Sequence, residues 1–353
     1  MIKNQSDFQL DEPYHTFIIS EAGSNWKCGS YEDDLNQAKK MIKVAAKSGT
    51  DAVKFQTFRS ETLYAPDAGK VNYFQEMDIK SVNDLIEFLT MPDEMIPELA
   101  EYCNQQGVLF MSTPFSVEDA KRINPYVNIH KVASFEINHV KLLENLAQTK
   151  KPILISTGAS TIKEIDFAVS LVKDKGNPPI ALMQCTSSYP APLESLNLKV
   201  IPEIKSRYKV PVGFSDHSVD PIIGPLLAVG LGATILEKHF TLDKSLKGPD
   251  HPFSLNPKEL TDMIAAIRKA DKAKGTGQKE ILKEEIELRR FGKRAIQAIK
   301  NISKGEILKE GYNFEILRPG NHLPGLDPIF INKLEGKKSA KDVPIGEGIK
   351  DYE

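Results

Sequence analysis

Short apolar runs recur along the chain, and stretches with helical spacing of apolar positions lie between them. The runs Thr16–Ser20, Ala52–Phe55, Val108–Ser112, Ile129–Ala133, Ile153–Ser156, Ile180–Gln184, Val210–Phe214 and Ala233–Glu237 predict strands. They read as near-continuous Val, Ile, Leu and Phe, the pattern of a sheet buried on both faces. Asp33–Lys47, Met95–Gln105, Val117–Ile123, Val140–Gln148, Ile162–Lys175 and Pro257–Ala273 predict amphipathic helices. The apolar stretch Ile222–Leu236 predicts a buried helix followed by a buried strand. Eight strands alternating with helices predict an α/β protein built as a parallel (β/α)8 TIM barrel. A doubly wound open sheet is the competing arrangement. No Gly-x-Gly-x-x-Gly follows the first run, so dinucleotide binding has no support.

The pattern changes near residue 275. We expect residues 1–278 to form the barrel domain and 279–292, rich in charge, a helix or linker. Residues 293–353 should be a small, mostly β domain, with runs at Ala295–Ile299 and Phe314–Leu317 and turns at Lys304-Gly305 and Gly346-Glu-Gly348. At 353 residues and 41% apolar composition, the chain can bury a large core beside such a satellite. A net charge of −2 gives no electrostatic case for nucleic acid or an anionic membrane. Cys28, Cys103 and Cys185 are too dispersed for a disulfide or zinc pattern and suggest a reducing, cytoplasmic setting. The polar, acidic N-terminus has no apolar leader segment, and no run is long enough to span a bilayer.

Candidate chemistry sits where the predicted strands end. His217 follows one run and His239 the next, with a helix-length stretch, Asp220–Gly230, between them. That places both imidazoles at the same end of neighbouring parallel strands, as candidate ligands for a divalent metal with open positions. The other ends carry Glu21, Lys54, Gln56, Ser112, Thr113, Lys131, Ser134, Glu136, Ser156, Gln184 through Tyr189, Ser215, Asp216, Glu237 and Lys238. Barrel active sites form at this end. Ionised groups there need partners: each other, a metal or an anion. Lys54, Lys131 and Lys238, with nearby hydroxyls, could hold a small, highly charged anion. Ser156-Thr157-Gly158 leads into a helix whose free N–H groups suit phosphate or carboxylate.

Several segments then resemble one family. Ser20-Glu21-Ala22-Gly23-Ser24-Asn25, Val53-Lys54-Phe55-Gln56, Ser112-Thr113-Pro114-Phe115, Lys131-Val-Ala-Ser134-Phe-Glu136, Cys185-Thr-Ser-Ser-Tyr189-Pro190, Ser215-Asp216-His217, Glu237-Lys238-His239-Phe240-Thr241 and Gly248-Pro249-Asp250 are similar to the sialic acid (nonulosonic acid) synthase family. The similarity runs from about Phe17 to the end. The last domain resembles an antifreeze-like (SAF) domain, including the Arg318-Pro319-Gly320 loop.

The resemblance implies condensation of phosphoenolpyruvate with an N-acylated hexosamine to a nine-carbon 2-keto acid. It implies a divalent metal on His217 and His239, manganese first, with magnesium or cobalt as alternatives. Lys54, Lys131, Ser134, Ser156, Ser187 and Ser215 would hold phosphoenolpyruvate, with Thr113 close by. Gln56, Glu136, Tyr189 and Asp250 would contact the sugar, and Arg318 would reach it from the partner subunit of a homodimer with exchanged SAF domains. Glu21 and Glu237 would lie at the reacting centre as acid and base, with Lys131 beside them.

Two segments depart from the family: Trp26-Lys27-Cys28 stands where many members have His-Asn after Asn25, and Phe88–Pro92 replaces a Leu-Glu-Leu motif. Both are expected on the sugar side of the pocket. Lys131–Glu136 and Phe253-Ser-Leu255 lean toward pseudaminic acid synthases. Gly248-Pro-Asp-His251 leans toward the N-acetylneuraminate and legionaminate branches. The rival readings are a Schiff-base aldolase using Lys131 or Lys54, a non-catalytic carbohydrate-binding protein, and a Cys185 nucleophile, for which the sequence places no histidine nearby.

Overall fold

The computed structural model describes residue 12, residues 14–69 and residues 81–353, so most of the polar N-terminal stretch lies outside the described residues. Two compact units result, one running to Thr276 and the other spanning Gly277–Glu353.

In the first unit, eight strands pair in parallel: β1 (Phe17–Glu21), β2 (Ala52–Thr57), β3 (Leu109–Pro114), β4 (His130–Val132), β5 (Ile153–Ser156), β6 (Ile180–Cys185), β7 (Val212–Asp216) and β8 (Ile235–His239). Their order is β3-β2-β1-β8-β7-β6-β5-β4, and β3 lies alongside β4 to close the cylinder. This is the expected (β/α)8 barrel. Five helices, Met95–Gln105, Val117–Ile123, Val140–Gln148, Ile162–Lys175 and Pro257–Ala273, have the predicted bounds. Their starts are locally encoded: Thr161 and Asn256 each form a reciprocal capping box, the latter with Pro257 at the first turn. The helices Ser60–Leu63, Val82–Leu89 and Val200–Tyr208 were not foreseen.

β1, β3 and β4 start one residue later than expected, and two further strands are displaced more. β7 and β8 begin and end two residues later than the apolar runs suggest. The ladder continues through polar residues, pairing Ser215 with Glu237 and Asp216 with Lys238, because backbone hydrogen bonds do not depend on side-chain polarity.

Alternation along the strands sorts side chains into two layers. Phe17, Ile19, Ala52, Met111, Ile129, Leu154, Ala181, Met183 and Ile235 fill the barrel interior. Ile18, Val53, Phe110, Ile155, Leu182, Phe214 and Leu236 pack outward under the helices. Trp26 joins this outer apolar layer, so the departure at this position is absorbed by packing rather than by the pocket wall. The helix expected to be buried, Ile223–Gly230, is covered on one face only: Ile223 and Leu227 are exposed, together with Val219 before it. A helix in the outer ring rests one side on the sheet, and its apolar sequence does not change that.

The second unit pairs Ala295–Ala298 with Phe314–Leu317 in an antiparallel ladder. Its core is Ile296, Ile302, Leu308, Phe314, Leu334, Val343 and Ile349. Residues 283–292 carry a short 3-10 turn, Lys283–Glu285, and a helix, Ile286–Gly292. Among the described residues no helix is long and apolar enough to cross a membrane.

Candidate active site

Strand register brings the ionisable residues to one level. Glu21 on β1 aligns with Lys54 on β2 and with His239 on β8. Counting in twos from the interior apolar layer, Glu21, Lys54, Gln56, Thr113, Lys131, Ser156, Cys185, Ser215, Glu237 and His239 all point into the barrel mouth.

There they form one buried network. Lys54 Nζ lies 2.6 Å from Glu21 Oε2 and 3.7 Å from Glu237 Oε1, and donates to Thr113 Oγ1 at 2.9 Å. Lys131 Nζ donates to Ser156 Oγ at 2.7 Å and sits 3.5 Å from Glu237 Oε1. Ser215 Oγ donates to the same Glu237 oxygen at 3.2 Å, and Gln56 Nε2 donates to Glu21 Oε1 at 3.1 Å. Two ammoniums thus face two carboxylates away from water, where each pair interaction is stronger than at the surface.

The environment separates the acids. Burial pushes the Glu21 carboxyl up to about 7, with Lys54 opposing and Glu237 assisting. Burial acts on Glu237 too, but Lys131 and Lys54 outweigh it and hold the group down to about 2. Burial lowers the Lys131 ammonium, against the pull of Glu237.

The imidazoles lie beside this cluster, their ring centroids 5.6 Å apart. Burial, then the neighbouring positive charges, lowers His239 to about 3. Burial and His239 lower His217 to about 4. Both are therefore neutral near pH 7, the state a metal ligand requires. His217 Nδ1 lies 2.8 Å from the Thr186 carbonyl, which can only accept, so Nδ1 carries the proton and Nε2 keeps its lone pair. Among the described residues, buried His239 Nδ1 and Glu237 Oε2 have no hydrogen-bond partner. Such atoms are rare unless a ligand, ion or water completes them. The donor set fits a divalent cation that takes two protein nitrogens and fills its remaining positions from substrate or water.

The rim completes the arrangement. Gly158 N–H donates to Ser134 Oγ at 3.0 Å, and buried Ser187 Oγ has no partner among the described residues. A Cβ on Gly158 would meet Ser187 Oγ at 2.4 Å and Ser134 Oγ at 2.8 Å, so glycine keeps this hydroxyl cradle open. The Tyr189 ring packs against the His217 ring, centroids 4.2 Å apart and planes tilted by 34°. Asp250 Oδ2 accepts from both the N–H and the hydroxyl of Ser24, at 2.9 and 2.8 Å. Glu136, in the turn after β4, is raised to about 7 by burial, and its charge raises the nearby Tyr64 phenol after burial does. Arg318 is exposed, in the second unit just after Phe314–Leu317.

Two expectations are corrected. Lys238 is not an anion ligand. It points outward between Glu237 and His239 and is saturated by Asp216 Oδ2 and the Ser218 carbonyl, both at 2.6 Å. Cys185 does have a histidine beside it, His217 Nδ1 at 3.8 Å, brought there by the β6–β7 pairing. That nitrogen is already committed to Thr186, and burial raises the thiol, so Cys185 is poorly suited to be a nucleophile. Sequence reasoning missed the roles of Asn25, Ser254 and Phe253. Asn25 and Ser254 tie the mouth's loops together, and Phe253 packs 5.1 Å from His239. Their polar and aromatic types inside quoted segments were the only available signal.

Comparison with known proteins agrees with this geometry. The NeuB family profile matches residues 41–279. The spore coat polysaccharide biosynthesis protein SpsE of Bacillus subtilis is 38% identical over 94% of this chain and 92% of its own. The pseudaminic acid synthase of Campylobacter jejuni is 37% identical over 95% of each chain. The crystal structure of N-acetylneuraminic acid (sialic acid) synthetase from Leptospira borgpetersenii superposes with a TM-score of 0.71. It is 34% identical and covers 80% of this chain and 94% of that one. The non-catalytic rival falls with these matches: the chain belongs to the NeuB family and is an enzyme.

Proposed function

We propose that the protein is a phosphoenolpyruvate-dependent nonulosonic acid synthase, joining phosphoenolpyruvate to an N-acylated hexosamine such as N-acetylmannosamine. The observation that carries this reading is the buried set of Lys54, Lys131, Glu21 and Glu237 beside two neutral imidazoles. A trianion with two ends needs fixed cations and hydroxyls, and a new C–C bond next to a hydration needs one acid and one base. Lys54, Lys131, Ser134, Ser156, Ser187 and Ser215 receive the carboxylate and phosphate. Gln56, Glu136, Tyr189 and Asp250 face the sugar.

The enolpyruvate C3 attacks the aldehyde carbon, and the aldehyde oxygen takes a proton. Water adds to C2 and loses one proton; the C2 hydroxyl then passes its remaining proton to the departing phosphate as the C2–O bond to it breaks, giving hydrogen phosphate and the 2-keto acid. Glu21, the carboxyl held protonated nearer neutrality, suits the proton donor. Glu237, ionised and with Oε2 free, suits the acceptor of the water proton. His217 and His239 would hold the metal, manganese or alternatively magnesium or cobalt, which when bound would polarise the aldehyde oxygen.

Relatives named for pseudaminic acid and for sialic acid synthesis are comparably similar, at 37% and 34% identity. A 2,4-diacetamido-trideoxyhexose, the pseudaminic or legionaminic precursor, is therefore the alternative acceptor. The second unit is read as an SAF domain that reaches the partner's barrel in a homodimer, with Arg318 at the sugar. Three unpaired cysteines support a cytoplasmic setting. The test is phosphate release from phosphoenolpyruvate with manganese and each candidate sugar in turn: N-acetylmannosamine, its 6-phosphate and the two diacetamido sugars. Release with none of them would overturn the reading.

One observation favours a second chemistry. Burial lowers the Lys131 ammonium, as a Schiff-base lysine requires. Its short contact with Ser156 and its pairing with Glu237 suit an anion-binding ammonium better. Borohydride trapping distinguishes the two.

A further inference from the structure

We infer that Asn25 is a positioning residue: it fixes the metal-side imidazole and the sugar-side carboxylate relative to each other by clasping two loops. Asn25 is fully buried. Its Nδ2 donates to the Phe240 carbonyl at 2.8 Å and to Ser254 Oγ at 2.9 Å. A carbonyl only accepts, so the amide nitrogen must face that way.

Each bond holds a different functional group. Phe240 directly follows His239, and its N–H donates to the Glu21 carbonyl, so the residue just past the end of β8 is held through both of its peptide groups. Ser254 passes the restraint on: its hydroxyl donates to the Asp250 carbonyl at 2.5 Å, while Ser24 holds the Asp250 carboxylate. Phe253, next to Ser254, lies 5.1 Å from the His239 ring and 5.6 Å from Tyr189. Between the two loops, Gly23 adopts φ +52°, and a Cβ there would meet Asp250 Oδ2 at 2.5 Å and His239 Nδ1 at 3.1 Å. The loop after β1 thus approaches His239 and Asp250 as closely as a side-chain-free backbone allows, and Asn25 keeps it there. None of the hydrogen bonds that link Asn25, Phe240, Ser254, Asp250 and Ser24 is made by Lys54, Lys131 or the Ser134–Gly158 cradle. The clasp acts on one half of the site.

The inference rests on the proposed metal and sugar roles of His239 and Asp250, so its test includes a readout that does not. Asn25→Ala and Ser254→Ala are made in the full chain. Histidine ring signals are recorded by NMR in metal-free protein, manganese binding is followed by electron paramagnetic resonance, and KM is measured for each substrate. The His239 signal should shift in both variants while that of His130, on the far outer face, stays. Manganese affinity and kcat/KM for the sugar should fall about 10- to 100-fold, as for other residues that orient ligands. KM for phosphoenolpyruvate should stay within about twofold, and the double variant should lose less than the product of the single losses. If Asn25→Ala does not fold, Ser254→Ala carries the test. Unchanged His239 signals in a folded variant would overturn the inference, as would equal losses for both substrates. Absent manganese binding and turnover in the unaltered protein would instead overturn the proposed function, leaving the NMR comparison to judge the clasp.

Discussion

Glu21 and Glu237 share one lysine, and the nearer of the two is the one whose carboxyl is raised. Lys54 Nζ is 2.6 Å from Glu21 and 3.7 Å from Glu237, yet Glu21 is raised and Glu237 lowered. Burial raises both groups, and the second lysine separates them. Lys131 lies 3.5 Å from Glu237, so two cations favour its charge, and that charge in turn disfavours ionisation of Glu21. Replacing Glu237 by Gln should cut kcat about 10²- to 10⁴-fold, the range for a lost general base. It should also relieve Glu21, so that Glu21→Gln costs less in the Glu237→Gln background than alone. Steady-state phosphate release from the four proteins measures this; additive losses would contradict a coupled pair.

Lys131 and Lys238 both follow apolar runs, and their substitutions should separate cleanly. Lys131→Met should abolish phosphoenolpyruvate use with the fold intact, and borohydride should trap no adduct in the unaltered enzyme. Lys238→Met strands a buried Asp216 and should cost about 3–5 kcal/mol of stability. The remaining folded enzyme should keep its KM for phosphoenolpyruvate. Urea unfolding and initial rates together decide, and a raised KM in Lys238→Met would restore it to the anion site.

Removal of metal should silence the enzyme. Chelator should abolish phosphate release and manganese should restore it. His217→Ala or His239→Ala should remain folded by circular dichroism, bind manganese at least about tenfold more weakly and lose nearly all turnover. Full activity in excess chelator would exclude the metal role.

Acid sensitivity should trace in part to His130. Its ring faces outward from β4 and donates through Nε2 to Asn124 Oδ1 at 3.2 Å, while the buried Nδ1 has no partner among the described residues. Burial, then Lys151, lowers it from 6.5 to about 4. A lowered histidine binds its proton more readily when unfolded, so stability is complete above pH 6.5 and falls as pH drops toward 4. The loss is at most about 3 kcal/mol. The unfolding free energy from urea titration should fall by about 2 kcal/mol less between pH 7 and pH 4.5 in His130→Gln than in the unaltered protein. An equal acid loss in both would assign it elsewhere.

Mixing should test the reach of Arg318. Arg318→Ala and His239→Ala subunits are each expected to be inactive with the sugar. If Arg318 serves the partner's barrel, exchanged dimers regain one intact site and at most about half the activity. No recovery after verified exchange would mean that it serves its own barrel or none.

The sequence by itself determined the alternation of strands and helices, because each of its signals is local. Near-continuous Val/Ile runs, capping boxes at Thr161 and Asn256 and helical spacing act within a few residues, and five helices matched to the residue. It also placed His217 and His239 at one end of adjacent strands, since a strand–helix–strand unit leaves little choice. What tertiary structure alone decided was which polar residue faces in. Glu237, Lys238 and His239 are consecutive, and only closure of the cylinder around Ile19, Met111, Leu154 and Ile235 says that the first and third enter the mouth and the second does not. The same closure set Cys185 against His217 and Asn25 against Phe240 and Ser254. These contacts join residues 32, 215 and 229 positions apart. Local sequence preferences reach only a few residues, so contacts at that separation follow from the packing of the whole barrel.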